Sequence, residues 1–202
     1  MKTIDGRLIV VSGASRCGKS TQVARMVATS KRVVAWDPED QWAALPGYRK
    51  ITTRDELLQA IQTPGHMRLA YVTGGNLKDE YDFLCRAVFY AGRYIKALDF
   101  IGEELADVST PGKAPTHWGI LVRRGLKRGI NIYAISQRWA EADKTAIGNA
   151  SEYVCFLSRP DDTDYVAKKT GIPVAELAAL EAFEFIQYDP VTKEKVKKKL
   201  RR

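Results

Sequence analysis

The sequence is poor in the residues that announce metal or redox chemistry. It has three cysteines, Cys17, Cys85 and Cys155, and two histidines, His66 and His117. The cysteines are far apart, odd in number and form no CxxC pair, which argues against a disulfide framework and against a zinc site. Neither histidine has a carboxylate or cysteine pattern near it, so neither is assigned any chemistry. No apolar run approaches the ~20 residues that a membrane span needs. The opening "MKTIDGRLIVVSGAS" is unlike a secretory signal, because glycines and polar residues follow its short apolar core. Internal repeats, low-complexity linkers and shifts of composition are lacking too. These absences predict a single domain over residues 1–202, without a transmembrane segment, in a reducing cytoplasmic compartment.

Charge is present but unevenly placed. The net charge is +8, and residues 193–202, "KEKVKKKLRR", contribute +6, which leaves +2 for the other 192 residues. A basic end of this kind suits a polyanionic partner, nucleic acid first; it equally suits a solubilising tail or a lysine-rich edge strand. Lys197, Lys198, Lys199, Arg201 and Arg202 are the candidate nucleic-acid contacts.

Apolar, β-branched runs alternate with helical patterns along the chain. Strands are predicted at 7–13, 31–38, 67–73, 98–104, 130–136 and 153–158. Helices are predicted at 18–29, 54–62, 78–95, 117–129 and 162–171, and "FEFIQYDPVTKEKVKKK" reads as a C-terminal β-hairpin turning at "DPVTK". Strand alternating with helix, with nearly continuous apolar strands, predicts an α/β fold: a mostly parallel sheet covered by helices on both faces.

Ligands of such sheets bind beyond the carboxyl ends of the strands. After the first strand, "GASRCGKS" (13–20) matches the phosphate-loop pattern GxxxxGK[ST] at every fixed position and opens a helix. The expected nucleotide contacts are Gly13, Ala14, Ser15, Arg16, Cys17, Gly18, Lys19, Ser20 and Thr21. Backbone N–H groups and the helix N-terminus cradle phosphates, Lys19 reaches the β- and γ-phosphates, and the Ser20 hydroxyl binds Mg²⁺. ATP and Mg²⁺ are the expected cofactors.

"DFIGEELADV" (99–108) ends a strand in two carboxylates, which are costly to bury without a task. In phosphate-loop NTPases a second strand delivers a carboxylate to Mg²⁺. Glu103 is assigned to the metal and Glu104 to the attacking water as general base, on the expectation that consecutive side chains of a strand diverge. The reverse assignment, or a pair tuned by mutual repulsion, stays open. Asp37, after the second strand, is read as a turn-forming Asp-Pro rather than a ligand.

Several segments then resemble one family. "GEELADV" looks like the Walker B segment of the FtsK/HerA DNA-pumping ATPases. "RGINIYAISQRW" resembles their glycine–strand–Gln–Arg–Pro segment, with Trp139 in place of proline. "VVAWDP" is similar to their second strand, and "EADKTAIGNASEYVCFLSRPDDTDY" to the stretch behind the glutamine. The resemblance covers residues 7 to 170. It implies a RecA/ASCE-like domain, an ATP hydrolase, and Gln137 as sensor of the γ-phosphate; helix capping is that residue's alternative role. The family's metal-binding Asp is replaced by Glu103, and Leu126 stands where an arginine is frequent. The trans-acting arginine is therefore sought in the preceding basic helix, Arg128 first and Arg124 second, against the alternative of a solvated basic face.

The chain's length resembles that of the minimal genome-packaging ATPases of tailless viruses with an internal membrane. That resemblance implies an ATP-driven pump of double-stranded DNA, acting as a homo-oligomeric ring, expected to be a hexamer, in the host cytoplasm or virion. It also implies docking on capsid portal or vertex proteins. Two other classes stay open: a nucleoside or nucleotide kinase, and a Zot-like nucleotide-binding phage assembly protein.

Overall fold

The computed structural model describes residues 5–200. In chain order the elements are β1 (Leu8–Ser12), α1 (Lys19–Met26), β2 (Arg32–Trp36), β3 (Arg49–Ile51), α2 (Arg54–Gln62), β4 (Met67–Tyr71), α3 (Leu77–Ala91) and β5 (Leu98–Gly102). They continue with α4 (Leu105–Val108), α5 (Thr116–Arg124), a 3₁₀ turn (Leu126–Arg128), β6 (Ile130–Ser136), α6 (Lys144–Gly148), β7 (Glu152–Phe156), α7 (Pro160–Thr170), α8 (Val174–Ala178), β8 (Glu184–Tyr188) and β9 (Lys195–Lys199). The strands form one sheet in the order β3-β4-β2-β5-β6-β1-β7-β8-β9. The pairs β3–β4, β4–β2, β2–β5 and β1–β7 are parallel, whereas β7–β8 and β8–β9 are antiparallel. β1, β5 and β7 are buried at every position, as strands covered on both faces must be.

Four short elements, β3, α4, α6 and α8, escape the sequence pattern, because three to five residues hold too little periodicity to read. Two boundaries differ as well. β5 stops at Gly102, so neither glutamate lies on the strand. The basic helix read as 117–129 ends at Arg124 and tightens into a 3₁₀ turn after Gly125.

The chain divides into two compact units. The first comprises residues 5–7, 29–103 and 115–132. Its core is an aromatic cluster: Tyr81 of α3 lies 5.4 Å from Trp36 of β2 and 5.7 Å from Trp118 of α5, between ring centroids. Such pairs contribute about 0.5–1.5 kcal/mol each beyond their buried area. Local chemistry starts the helices. Thr53 and Glu56 form a capping box on α2, and the Asn76 side chain accepts from Lys78 and Asp79 at the start of α3. The start of α5 is capped from α3, since Asp82 accepts the His117 backbone N–H at 2.6 Å and faces His117 Nδ1 at 2.6 Å. His117 is therefore not isolated; its carboxylate partner is 35 residues away in sequence, where no local pattern reveals it.

The second unit comprises residues 8–28, 104–114 and 133–200. The expected hairpin is present as β8–β9. Asp189 shapes its turn, its Oδ1 accepting from Val191 at 2.8 Å and Thr192 at 3.1 Å. β9 ends the sheet and is exposed at all five positions. Lysines on an outer strand discourage edge-to-edge pairing.

Candidate nucleotide-binding site

The phosphate loop leaves β1 and is tied down by Ala14, whose N–H donates to the Leu157 carbonyl at 2.8 Å. Its fixed glycines are dictated by space as well as by conformation. Gly13 has φ 150°, and a Cβ there would stand 2.6 Å from Phe156 Cβ and 2.7 Å from Cys17 Sγ. Gly18, with φ 107°, precedes α1, and its Cβ would meet Leu200 Cδ1 at 2.5 Å. Arg16 also takes a left-handed φ of 61°, the backbone form that turns successive N–H groups toward one point. No acidic residue occupies the first turn of α1, so the positive helix end is left for an anion.

Lys19 is buried, and its Nζ donates to the Ala14 carbonyl at 2.9 Å, folding the amine across its own loop. Ser20 is half-buried, while Ser15, Arg16 and Thr21 are exposed. Cys17 is buried, and burial pushes its thiol up, against a smaller downward pull from Lys19. It fills the loop as a neutral thiol.

The two glutamates diverge because of the chain, not because of a strand pleat. Glu103 is buried, at 7% exposure. The Trp42 indole N–H, itself buried, donates to Glu103 Oε1 at 3.1 Å. The loop carrying Trp42 is shaped by Asp37, whose Oδ1 accepts from Gln41 N–H and Oδ2 from Ala43 N–H, both at 2.8 Å. Asp37 is thus the turn-forming residue expected of it. Trp42 was not foreseen; the available signal was a lone tryptophan in a polar stretch just past Asp-Pro.

Glu104 sits at φ 41°, ψ 59°, immediately before α4. A non-glycine residue held there costs on the order of 1–3 kcal/mol, an expense that clusters at working sites. Gln137, just past β6, donates through Nε2 to Glu104 Oε1 at 2.8 Å. The structure therefore joins the two residues picked for the water and for the γ-phosphate. Helix capping is not the role of Gln137, since α6 starts only at Lys144 with Asp143 before it. Trp139, the family's proline position, is buried and donates its indole N–H to the Val11 carbonyl at 3.1 Å, bracing the end of β1.

Arg128 stacks on Phe89 with its guanidinium carbon 3.5 Å from the ring centroid, and donates through Nη1 to the Phe89 carbonyl. Arg124 lies 5.8 Å from the same ring. Burial, then the neighbouring Arg93 and Arg124, push the Arg128 guanidinium down from its usual range. On β9, Lys197 pairs with Glu184 at 2.7 Å, Lys199 with Glu181 at 3.2 Å, and Lys198 donates to Gln187 at 2.6 Å. Those lysines stand on the outer strand of the sheet. Arg201 and Arg202 lie outside the described residues.

No family model matches the chain. Protein P9 of Pseudoalteromonas phage PM2 is 33% identical over 147 residues, 72% of this chain and 66% of that protein, so the match spans just under two thirds of the relative's length. The genome packaging NTPase B204 of Sulfolobus turreted icosahedral virus 2, solved in complex with ATP-γS, superposes with a TM-score of 0.81 over the whole of both chains at 14% identity. VirB4 of Thermoanaerobacter pseudethanolicus has a TM-score of 0.68 at 10% identity, over 96% of this chain and 89% of that one. At such identities the solved structures speak for the fold. The chain therefore has the fold of these solved proteins and is similar in sequence to Protein P9 of phage PM2.

Proposed function

We propose that the protein hydrolyses ATP to drive double-stranded DNA, as the genome-packaging ATPase of a virus, and that it works as a homo-oligomeric ring, a hexamer by family resemblance. The observation that carries this reading is the Gln137–Glu104 hydrogen bond of 2.8 Å. A carboxylate one turn past a strand, held by a strand-end amide, suits activation of a water; a kinase would waste ATP on such a group. Glu104 accepts the proton of the attacking water. Gln137, a donor and an acceptor at once, can exchange its bond to Glu104 for one to a phosphate oxygen. Lys19 and the loop N–H groups hold the phosphates.

Ser20 and Glu103 are hard oxygen donors of the kind Mg²⁺ takes, and the Trp42 indole fixes one Glu103 oxygen in a buried setting. When bound, Mg²⁺ would neutralise charge on the β- and γ-phosphates. None of the described residues forms a helix long and apolar enough to cross a membrane. Capsid portal or vertex proteins are the expected docking partners. Arg128, committed to Phe89, is not used as the trans-acting arginine.

The test is ATP hydrolysis with and without long duplex DNA, with Glu104→Gln as control. Stimulation by DNA that is lost in the variant and weakened by salt is expected. Turnover indifferent to DNA, or seen only with a nucleoside acceptor, would overturn the pump. Tight ATP binding without turnover would favour the assembly protein.

A further inference from the structure

The C-terminal lysines draw attention in the sequence, yet the first unit gathers a second group of basic residues. Residues 83–98 and 116–131 hold three and four Lys/Arg and no Asp or Glu. The first stretch is the end of α3 and the turn after it; the second is α5 and its 3₁₀ turn. Packing brings the two together. Gly92 lets them close, since a Cβ there would lie 2.6 Å from Ile130 Cδ1 and 3.2 Å from Arg128 Cβ. Phe89 and Tyr90 form the floor: Arg128 and Arg124 lie over Phe89, and Arg93 lies 5.4 Å over Tyr90. Arg93, Arg124 and Tyr90 are exposed. No carboxylate of the described residues pairs with Arg93, Arg124 or Arg128, whereas Lys195, Lys197 and Lys199 of β9 each pair with a glutamate.

Resting on the reading above, we propose that the arginine cluster of Arg93, Arg124 and Arg128 over Phe89 and Tyr90 is the surface that docks the phosphate backbone of double-stranded DNA. The complementarity is electrostatic. Three like charges gathered without a counter-ion repel one another, and a row of phosphates removes that repulsion. Aromatic floors hold guanidinium planes in place, so less side-chain freedom is lost on binding. Arg128 is the fixed member, bonded to the Phe89 carbonyl, and Arg93 and Arg124 are the exposed members that reach phosphates. Contacts of this type are independent of sequence and sensitive to salt.

The experiment is binding of a fluorescein-labelled duplex of mixed sequence, followed by anisotropy across a salt series. The full chain is compared with Arg93→Gln/Arg124→Gln and with Lys195→Gln/Lys197→Gln/Lys199→Gln. The arginine variant should bind at least about tenfold more weakly at low salt, and its log–log salt slope should lessen by about 2 for each subunit engaged. The β9 variant should keep nearly the full slope. An unchanged slope in the arginine variant beside a binding parent overturns this surface and leaves the pump standing. Loss of DNA-free ATP turnover at unchanged DNA affinity also overturns it, since those arginines then serve a neighbour's nucleotide. A parent chain that binds no duplex at all removes both proposals together.

Discussion

Two consecutive glutamates are held by different means in the two units. In the first, Glu103 is buried beside an indole that a carboxylate-capped loop presents to it. In the second, Glu104 is half-exposed, carried on a left-handed residue and bonded to an amide that has other partners to take. The first arrangement fixes a charge in place, as a metal ligand requires. The second stores strain and keeps a partner that can exchange, as a group that must act in one step of a cycle requires. Neighbours in sequence thus acquire different surroundings, and the separate tasks proposed for them rest on that difference.

The sharpest test of that division is Glu104→Gln. The amide keeps an oxygen to accept from Gln137 but cannot take a proton from water. Turnover should fall about 10²–10⁴-fold while nucleotide affinity is retained, measured by steady-state hydrolysis beside equilibrium binding. A variant that loses both would show Glu104 acting as a second ligand, and the contrast would collapse.

Trp42→Phe tests the other half. It removes one hydrogen bond to a charged group, a contact of about 1.5–3 kcal/mol, and leaves Glu103 buried without it. The Mg²⁺ concentration for half-maximal stabilisation of the nucleotide complex, read from thermal melting, should rise about tenfold. Binding of nucleotide in EDTA should barely change. Equal losses with and without Mg²⁺ would reduce Trp42 to a packing residue.

The strain at Glu104 can be weighed separately. Glu104→Gly should be more stable than Glu104→Ala by about 1 kcal/mol, because only glycine accepts φ 41° without cost. In a chain of this size that is about 2–4 °C in melting midpoint. If the alanine variant is the more stable, the turn is relaxed and the strain belongs to no mechanism.

Much of this was legible beforehand, for identifiable reasons. The sheet was readable because β1, β5 and β7 are apolar on both faces, and the phosphate loop because its spacing is fixed by the backbone of Gly13 and Gly18. Gln137 and the glutamates were readable by their place after strands. What escaped was set by long-range packing. Trp42 is 61 residues from the carboxylate it holds, and Asp82 is 35 from His117. The charge of 193–202 was legible as a count, but a count does not show that Lys195, Lys197 and Lys199 pair with Glu176, Glu184 and Glu181.

The smallest effect concerns the root of β5, where the first unit holds a second buried acid. Asp99 Oδ1 accepts from Asn131 Nδ2 at 2.7 Å, and Asn131 in turn accepts the Arg7 N–H at 3.0 Å. Burial raises the Asp99 carboxyl above its ordinary value, more than those hydrogen bonds lower it. A folded acid that holds its proton more tightly than the unfolded chain favours folding at low pH. That contribution is complete below the unfolded value, about 3.9, and is lost as pH rises through the higher folded one. At neutral pH the ionised Asp99 therefore weighs against the fold. Asp99→Asn keeps the acceptor for Asn131 and removes the charge. Its melting midpoint should rise above the parent's at pH 7, by at most about 2–4 °C, the shift that about 1 kcal/mol produces. The two curves should converge as the pH is lowered toward 4. A midpoint that falls at pH 7 would mean that Asp99 is held as a charge after all, in the manner of Glu103, and that the first unit fixes two carboxylates rather than one.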